Sequence, residues 1–214
     1  MSCTIFRLPH PSLPLARGHA RARAASQGGF SLIEVSIVTA IILLIAVVGV
    51  PAVNAYVIEN RVPRVAEELQ RFVLRLKVGA QGAGSGPYAG VGTRLLGQNF
   101  QRSGVLSVAG EGDGAQVAHG LGGSGRGGDG VVTLAPENGA GDAFVLRLGE
   151  VNDAACPALA SILQRLAEQV SVSSDKGTTL LKSDLVNPRI AYSAVLAQAA
   201  CSDGDSNAFS FVFR

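Results

Sequence analysis

The sequence predicts an α+β fold in which a long N-terminal helix, transmembrane in its first half, packs through its second half on a small antiparallel-sheet head. Three observations carry that expectation. Val35–Ile58 contains no charged side chain, Glu59–Val78 carries an apolar stripe at helical spacing, and residues 131–214 alternate short strand-like runs with a helix. Composition agrees: 47% hydrophobic and only 16% charged residues suit a membrane-associated or secreted chain.

The apolar run comes first. VSIVTAIILLIAVVGVPAVNAYVI spans 24 residues, about 36 Å as a helix, enough for a hydrocarbon layer ~30 Å thick. Lipid offers the backbone no partner, so such a segment must be helical. The first 29 residues carry Arg7, Arg17, Arg21 and Arg23 and no acidic residue, which places the N-terminal end in the cytoplasm. The other 185 residues hold 14 basic against 16 acidic side chains, net −2, so no basic field calls for nucleic acid.

Past the apolar run, Val62, Val65, Leu69, Phe72, Val73 and Leu76 recur three and four residues apart, with Glu67 and Arg71 paired on the polar side. One helix from about Ser31 to Val78 accounts for both stretches. Gly49, Pro51 and Pro63 interrupt it, and each proline removes a backbone donor and loosens the helix.

Residues 80–130 read as a Gly-rich connecting loop with short strands near Thr93–Leu96 and Val105–Val108, disorder across 110–130 being the alternative. Beyond it, Val131–Leu134 and Ala143–Leu148 read as strands joined by a turn at Pro136–Gly141. Pro157–Val170 reads as a helix, Val170–Ser173 as a strand and Asn207–Phe213 as a final aromatic strand. Residues 131–214 thus form an α+β head. Its two cysteines, Cys156 and Cys201, read as a disulfide pair in a chain that crosses a membrane, two separate buried thiols being the alternative.

No catalytic set is expected. The serines lack a recognisable His and Asp arrangement, and GSGRGGDG from Gly123 lacks the Lys-Ser/Thr ending of a phosphate loop. His119 is the one histidine after the leader, so two cysteines and one histidine make a poor metal site. The expectation is no enzyme, no cofactor and no metal.

The sharpest feature is the junction QGGFSLIEVSIVTAIILLIAVVG from Gln27, with Glu34 at the edge of the apolar run. Carboxylates in such places are costly and usually functional. This junction resembles the class III signal of type IV pilin precursors, G-F-[ST]-L-I-E. The resemblance implies cleavage after Gly29 by a membrane-embedded prepilin peptidase and methylation of Phe30 as the new N-terminus. It also implies a charge pair between Glu34 and the N-terminal amine of a neighbouring copy, and a helix loosened at Gly49 and Pro51 in the filament. The type IV pilin-like layout is then a leader at 1–29, a transmembrane and assembly helix at 30–55, and an amphipathic continuation at 56–79. The Gly-rich connection at 80–130 follows, then the head at 131–214 with a C-terminal disulfide loop from Cys156 to Cys201.

The long leader and the helix inside that loop lean towards the type IVb-like and conjugative thin-pilus pilins. Gln27 and Gly28 depart from the basic residue common before the site. Implied partners are the peptidase, other copies in a helical filament, the inner-membrane assembly platform and minor pilins, with no nucleic acid. Implied localisation is the bacterial inner membrane and then an extracellular pilus serving adhesion, motility or mating contact. A minor pilin or type II secretion pseudopilin shares the N-terminal signature; a single-pass membrane-anchored periplasmic binding protein is the reading of a different class.

Overall fold

The computed structural model describes residues 29–214, so the leader reading lies outside the described residues except for Gly29. The chain divides into two compact units, one ending at Leu43 and one covering Leu44–Arg214. Helix α1 runs from Leu32 to Ala80, close to the expected limits. It continues through Gly49, Pro51 and Pro63, and each proline costs it an amide donor without ending it.

The two halves of α1 meet different surroundings. From Phe30 to Val57 the large apolar side chains are all exposed, Phe30 at 82% and Leu44 at 67%. This stretch is long and apolar enough to cross a membrane, and none of its apolar window is buried within the protein. From Val62 the expected stripe takes over: Val62, Val65, Leu69, Phe72 and Val73 are buried and Leu76 partly so.

That stripe joins one core with a seven-stranded, wholly antiparallel sheet of order β1-β2-β3-β4-β7-β5-β6. The strands are β1 Ser107–Ala109, β2 Gln116–Ala118, β3 Val131–Pro136 and β4 Phe144–Val151, followed by β5 Gln169–Ser174, β6 Gly177–Ser183 and β7 Asn207–Phe213. The last strand in sequence lies between β4 and β5. Its register sets Phe209, Phe211 and Phe213 opposite Leu148, Leu146 and Phe144. A strand alternates faces, so all six side chains line the core side, where each is buried. Phe144 and Phe213 stack at 5.1 Å. Val145 and Val212 alternate to the opposite face, where they form a small apolar patch with Ala143.

The segment expected as a connecting loop is built into this core. Thr93–Phe100 is helix α2, where the sequence pattern suggested a short strand. Leu96 and Phe100, four residues apart, bury one face of it, and Phe100 meets Phe72 of α1 at 5.3 Å. Strands β1 and β2 extend the sheet edge, with Val117 and Leu121 fully buried, so residues 110–130 are ordered despite their glycines.

In the disulfide-closed region, helix α3 covers Cys156–Leu163. It stops seven residues before the expected Val170 because Val170 is needed in β5, paired with Phe211. Lys182 helps end it by donating to the carbonyls of Gln164 (2.9 Å) and Ala167 (2.7 Å). Strand β6 and helix α4, Ala194–Ala200, complete this region and have no counterpart in the sequence reading.

Because Phe211 is fully buried at the centre of the sheet, Phe211→Ala is expected to cost about 3–5 kcal/mol. Denaturant unfolding of the detergent-solubilised chain, followed by circular dichroism, measures this; a loss below ~1 kcal/mol contradicts the central placement of β7.

Candidate functional site

The junction residues occupy the start of α1. Gly29, Phe30 and Ser31 precede the helix, and the Ser31 carbonyl accepts from the amides of Glu34 (3.0 Å) and Val35 (3.2 Å). Phe30, Glu34, Val35, Val38 and Thr39 line one shallow, mainly apolar groove. The neighbouring hydroxyls are satisfied within the helix, Ser36 donating to Ile33 O at 2.8 Å and Thr39 to Val35 O at 2.7 Å. The Glu34 carboxylate has no hydrogen bond or ion pair among the described residues. An acid in the first turn is favoured by the helix dipole, which accounts for its place but gives it no counter-charge. Gly49 and Pro51 lie further along α1, and Pro51 cannot donate to the Val47 carbonyl.

The second feature is the bridge between Cys156 and Cys201, whose Cα atoms are 6.2 Å apart across a sequence separation of 45. Cys156 opens α3 and Cys201 follows α4, so the bond ties two helix ends and encloses α3, β5, β6 and α4.

Asn207, which the sequence reading did not single out, fixes the return from that bridge into β7. Fully buried, it donates to Val151 O (3.0 Å) and Ser202 O (2.9 Å) and accepts from Ser202 N (2.8 Å). A buried Asn is favourable only when so satisfied. Ser193 caps α4 by accepting from Leu196 N at 3.3 Å.

His119 is a structural residue. Its Nδ1 accepts from Leu121 N at 3.0 Å, which places the proton on Nε2, 2.8 Å from the Gly149 carbonyl. Burial lowers its pKa below 6.5, partly opposed by the Gly149 carbonyl and the charges of Asp205 and Asp129. The Gly-rich loop beside it is closed on its own carboxylates. Asp129 accepts from Ser124 N (2.8 Å), and the Ser124 side chain first and its amide second hold the Asp129 pKa down; Asp205 accepts from Gly123 N (2.9 Å) and Asn152 Nδ2 (2.6 Å). Gly122 has φ +143°, and a Cβ there would sit 2.3 Å from Glu150 O, so the loop requires glycine. With its amides turned to protein carboxylates, this loop is not arranged as a phosphate cradle. Among the described residues no group of three or more His, Cys, Asp or Glu side chains could hold a metal ion.

No protein-family model matches this chain, and no curated protein does. Among solved structures it is similar to a crystal structure of a type IVb pilin from Salmonella typhi, at 16% identity and a TM-score of 0.48, over 71% of this chain and 96% of that one. The architecture that the sequence resemblance implied, a long N-terminal helix, an antiparallel sheet and a C-terminal disulfide, is present in full.

Two outcomes are expected. Replacing both Cys156 and Cys201 with Ser should lower unfolding stability by about 3–4 kcal/mol, read by denaturant titration with and without reductant. Because the folded-state pKa of His119 is depressed, its contribution is complete above pH 6.5 and declines as the pH falls below that value. Thermal melts at pH 7.5 and 5 should therefore show a drop in Tm that His119→Gln reduces; an equal drop in the variant rules out this histidine as the source.

Proposed function

We propose that the chain is the structural, non-enzymatic subunit of a type IV pilus, made as a membrane-inserted precursor and polymerised through α1. The observation that carries this reading is Glu34, a carboxylate without a partner among the described residues, at the head of an apolar helix and sharing a groove with Phe30 just after Gly29. In lipid an isolated carboxylate is heavily penalised, and a cation nearby relieves the penalty. The cation that the junction sequence supplies is the amine of Phe30, freed by cleavage after Gly29. Within one chain that amine sits at the same helix start; on a neighbour it can approach Glu34 along the groove and set the axial register between copies.

The exposed apolar surface from Phe30 to Val57 supports the same reading, since it suits lipid before assembly and other copies of α1 afterwards. Residues 1–29 are then the cytoplasmic leader, 30–55 the assembly helix and 56–79 its continuation into the head. Prepilin peptidase and an inner-membrane assembly platform are the partners, with minor pilins at initiation. Gly49 and Pro51 are the points where the helix can unwind during packing. The Cys156–Cys201 span, which encloses two helices and two strands, supports assignment to the type IVb-like branch.

Mass spectrometry of the processed protein is expected to give Phe30 at the N-terminus, carrying one methyl group. A chain that keeps its leader beside an active peptidase overturns the reading. Glu34→Ala is expected to leave membrane insertion intact and to reduce sheared filaments to a small fraction of wild type, whereas a normal yield removes the charge-pair mechanism.

A further inference from the structure

Charge on the body of the chain is nearly balanced in number but segregated in place. Residues 59–102 carry seven basic and three acidic side chains, net +4, while residues 103–214 carry seven basic and twelve acidic, net −5. Three of these seven basic side chains, Arg71, Arg75 and Arg102, meet at a cleft between α1 and α2 over a floor of Phe72 and Phe100, with Glu68 on its wall. Arg71 is paired with Glu67, and the Glu68 carboxylate accepts from the Ser103 hydroxyl. Arg75 and Arg102 have no carboxylate within ion-pair distance among the described residues.

The acidic share has its own focus. The turn after β4 and the turn before β7 are held together by Asp153 N donating to Gly204 O (2.9 Å) and Asn152 Nδ2 donating to Asp205 Oδ1 (2.6 Å). Asp205 is thus occupied, whereas Glu150, Asp153 and Asp203 are exposed on this rigid corner with no side-chain partner among the described residues. The corner lies level with Arg61: Asn152 N donates to Leu121 O (2.8 Å), and Arg61 donates to Gly120 O (3.3 Å). Arg71 and Arg75 follow ten and fourteen residues later on α1, a displacement of about 15–20 Å along the helix axis.

The geometry points to a second copy of this chain as the occupant of the cleft, its Glu150/Asp153/Asp203 corner seated against Arg75 and Arg102. The two surfaces differ, so the contact is heterologous, and repeating such a contact generates an open helical array rather than a closed dimer. Complementary fields of this kind fix register and exclude wrong approaches. Copies with parallel α1 axes, displaced by the offset above, bring corner and cleft to one level. The inference rests on the filament reading and adds to it a head-to-head contact separate from Glu34.

The test uses the full chain in membranes, in a Cys3→Ser background, with two distinguishable versions expressed together: one carries Asn99→Cys in the cleft, the other Asp153→Cys at the corner. Mild oxidation is expected to give a mixed dimer, with neither version linking to itself. Arg75→Glu with Arg102→Glu in the cleft copy should lower that dimer roughly tenfold, and Glu150→Lys with Asp203→Lys in the corner copy should restore it. High salt should weaken the link. Absence of the mixed dimer, indifference to the reversal, failure of the complementary pair to restore it, or capture of an unrelated protein in its place overturns the contact. Non-reducing mass measurement of the Cys156–Cys201 bridge confirms that each variant has folded. Failure of the filament reading shows separately, as an uncleaved leader or missing sheared filaments.

Discussion

The head depends on one burial event. Val62, Val65, Leu69, Phe72 and Val73 of α1 leave the surface together and give the sheet an apolar face to fold against. A seven-stranded antiparallel sheet with its phenylalanines on one side has no stable form until that side is covered. The second half of α1 covers it, α2 extends the cover through Phe100, and α3 adds Leu159 and Leu163. The disulfide, Asn207 and the Lys182 cap then refine a layer arrangement that hydrophobic area has already selected.

The same helix serves two solvents, and its sequence records the change. Up to Val57 its apolar side chains point all round, as suits lipid or other helices. After Glu59, charges return to one side and the stripe narrows to the core face. No break in secondary structure marks the transition, since backbone hydrogen bonding is internal to a helix in either medium. Strands could not make this passage, because their unpaired edges would need partners in lipid.

What was legible in the sequence divides along physical lines. Period and length gave α1, the turn at Pro136–Gly141 and the strand Asn207–Phe213, because each is a long or strictly alternating run with clear punctuation. The strand expected near Thr93–Leu96 is instead the start of a helix, whose burial rests on only two anchors, Leu96 and Phe100, in a Gly-rich setting. Helix α3 was drawn too long because Leu166 and Val170 keep helical spacing while Val170 pairs in β5. Strand β6 follows a turn at Asp175–Gly177, whose Asp and Gly are the punctuation that marks it in the sequence. Asn207, His119 and Lys182 were out of reach, since each has a partner 15 to 56 residues away that is in place only once the chain has folded. For the candidate site, sequence supplied Gly29, Phe30 and Glu34, and the structure added the groove that Phe30 and Glu34 share.

The placement of β7 has a consequence for biosynthesis. Strand β7 leaves the ribosome after β4 and β5, the two strands that both need it as a neighbour. Until it arrives, the sheet is two separate pieces with facing edges unpaired, which is the form most open to mispairing and proteolysis. A product cut short by even this one strand, seven residues from Asn207 to Phe213, cannot close the sheet. Native structure in the head thus requires synthesis to have passed Phe213, and a copy that stops short of β7 is left with two open sheet edges.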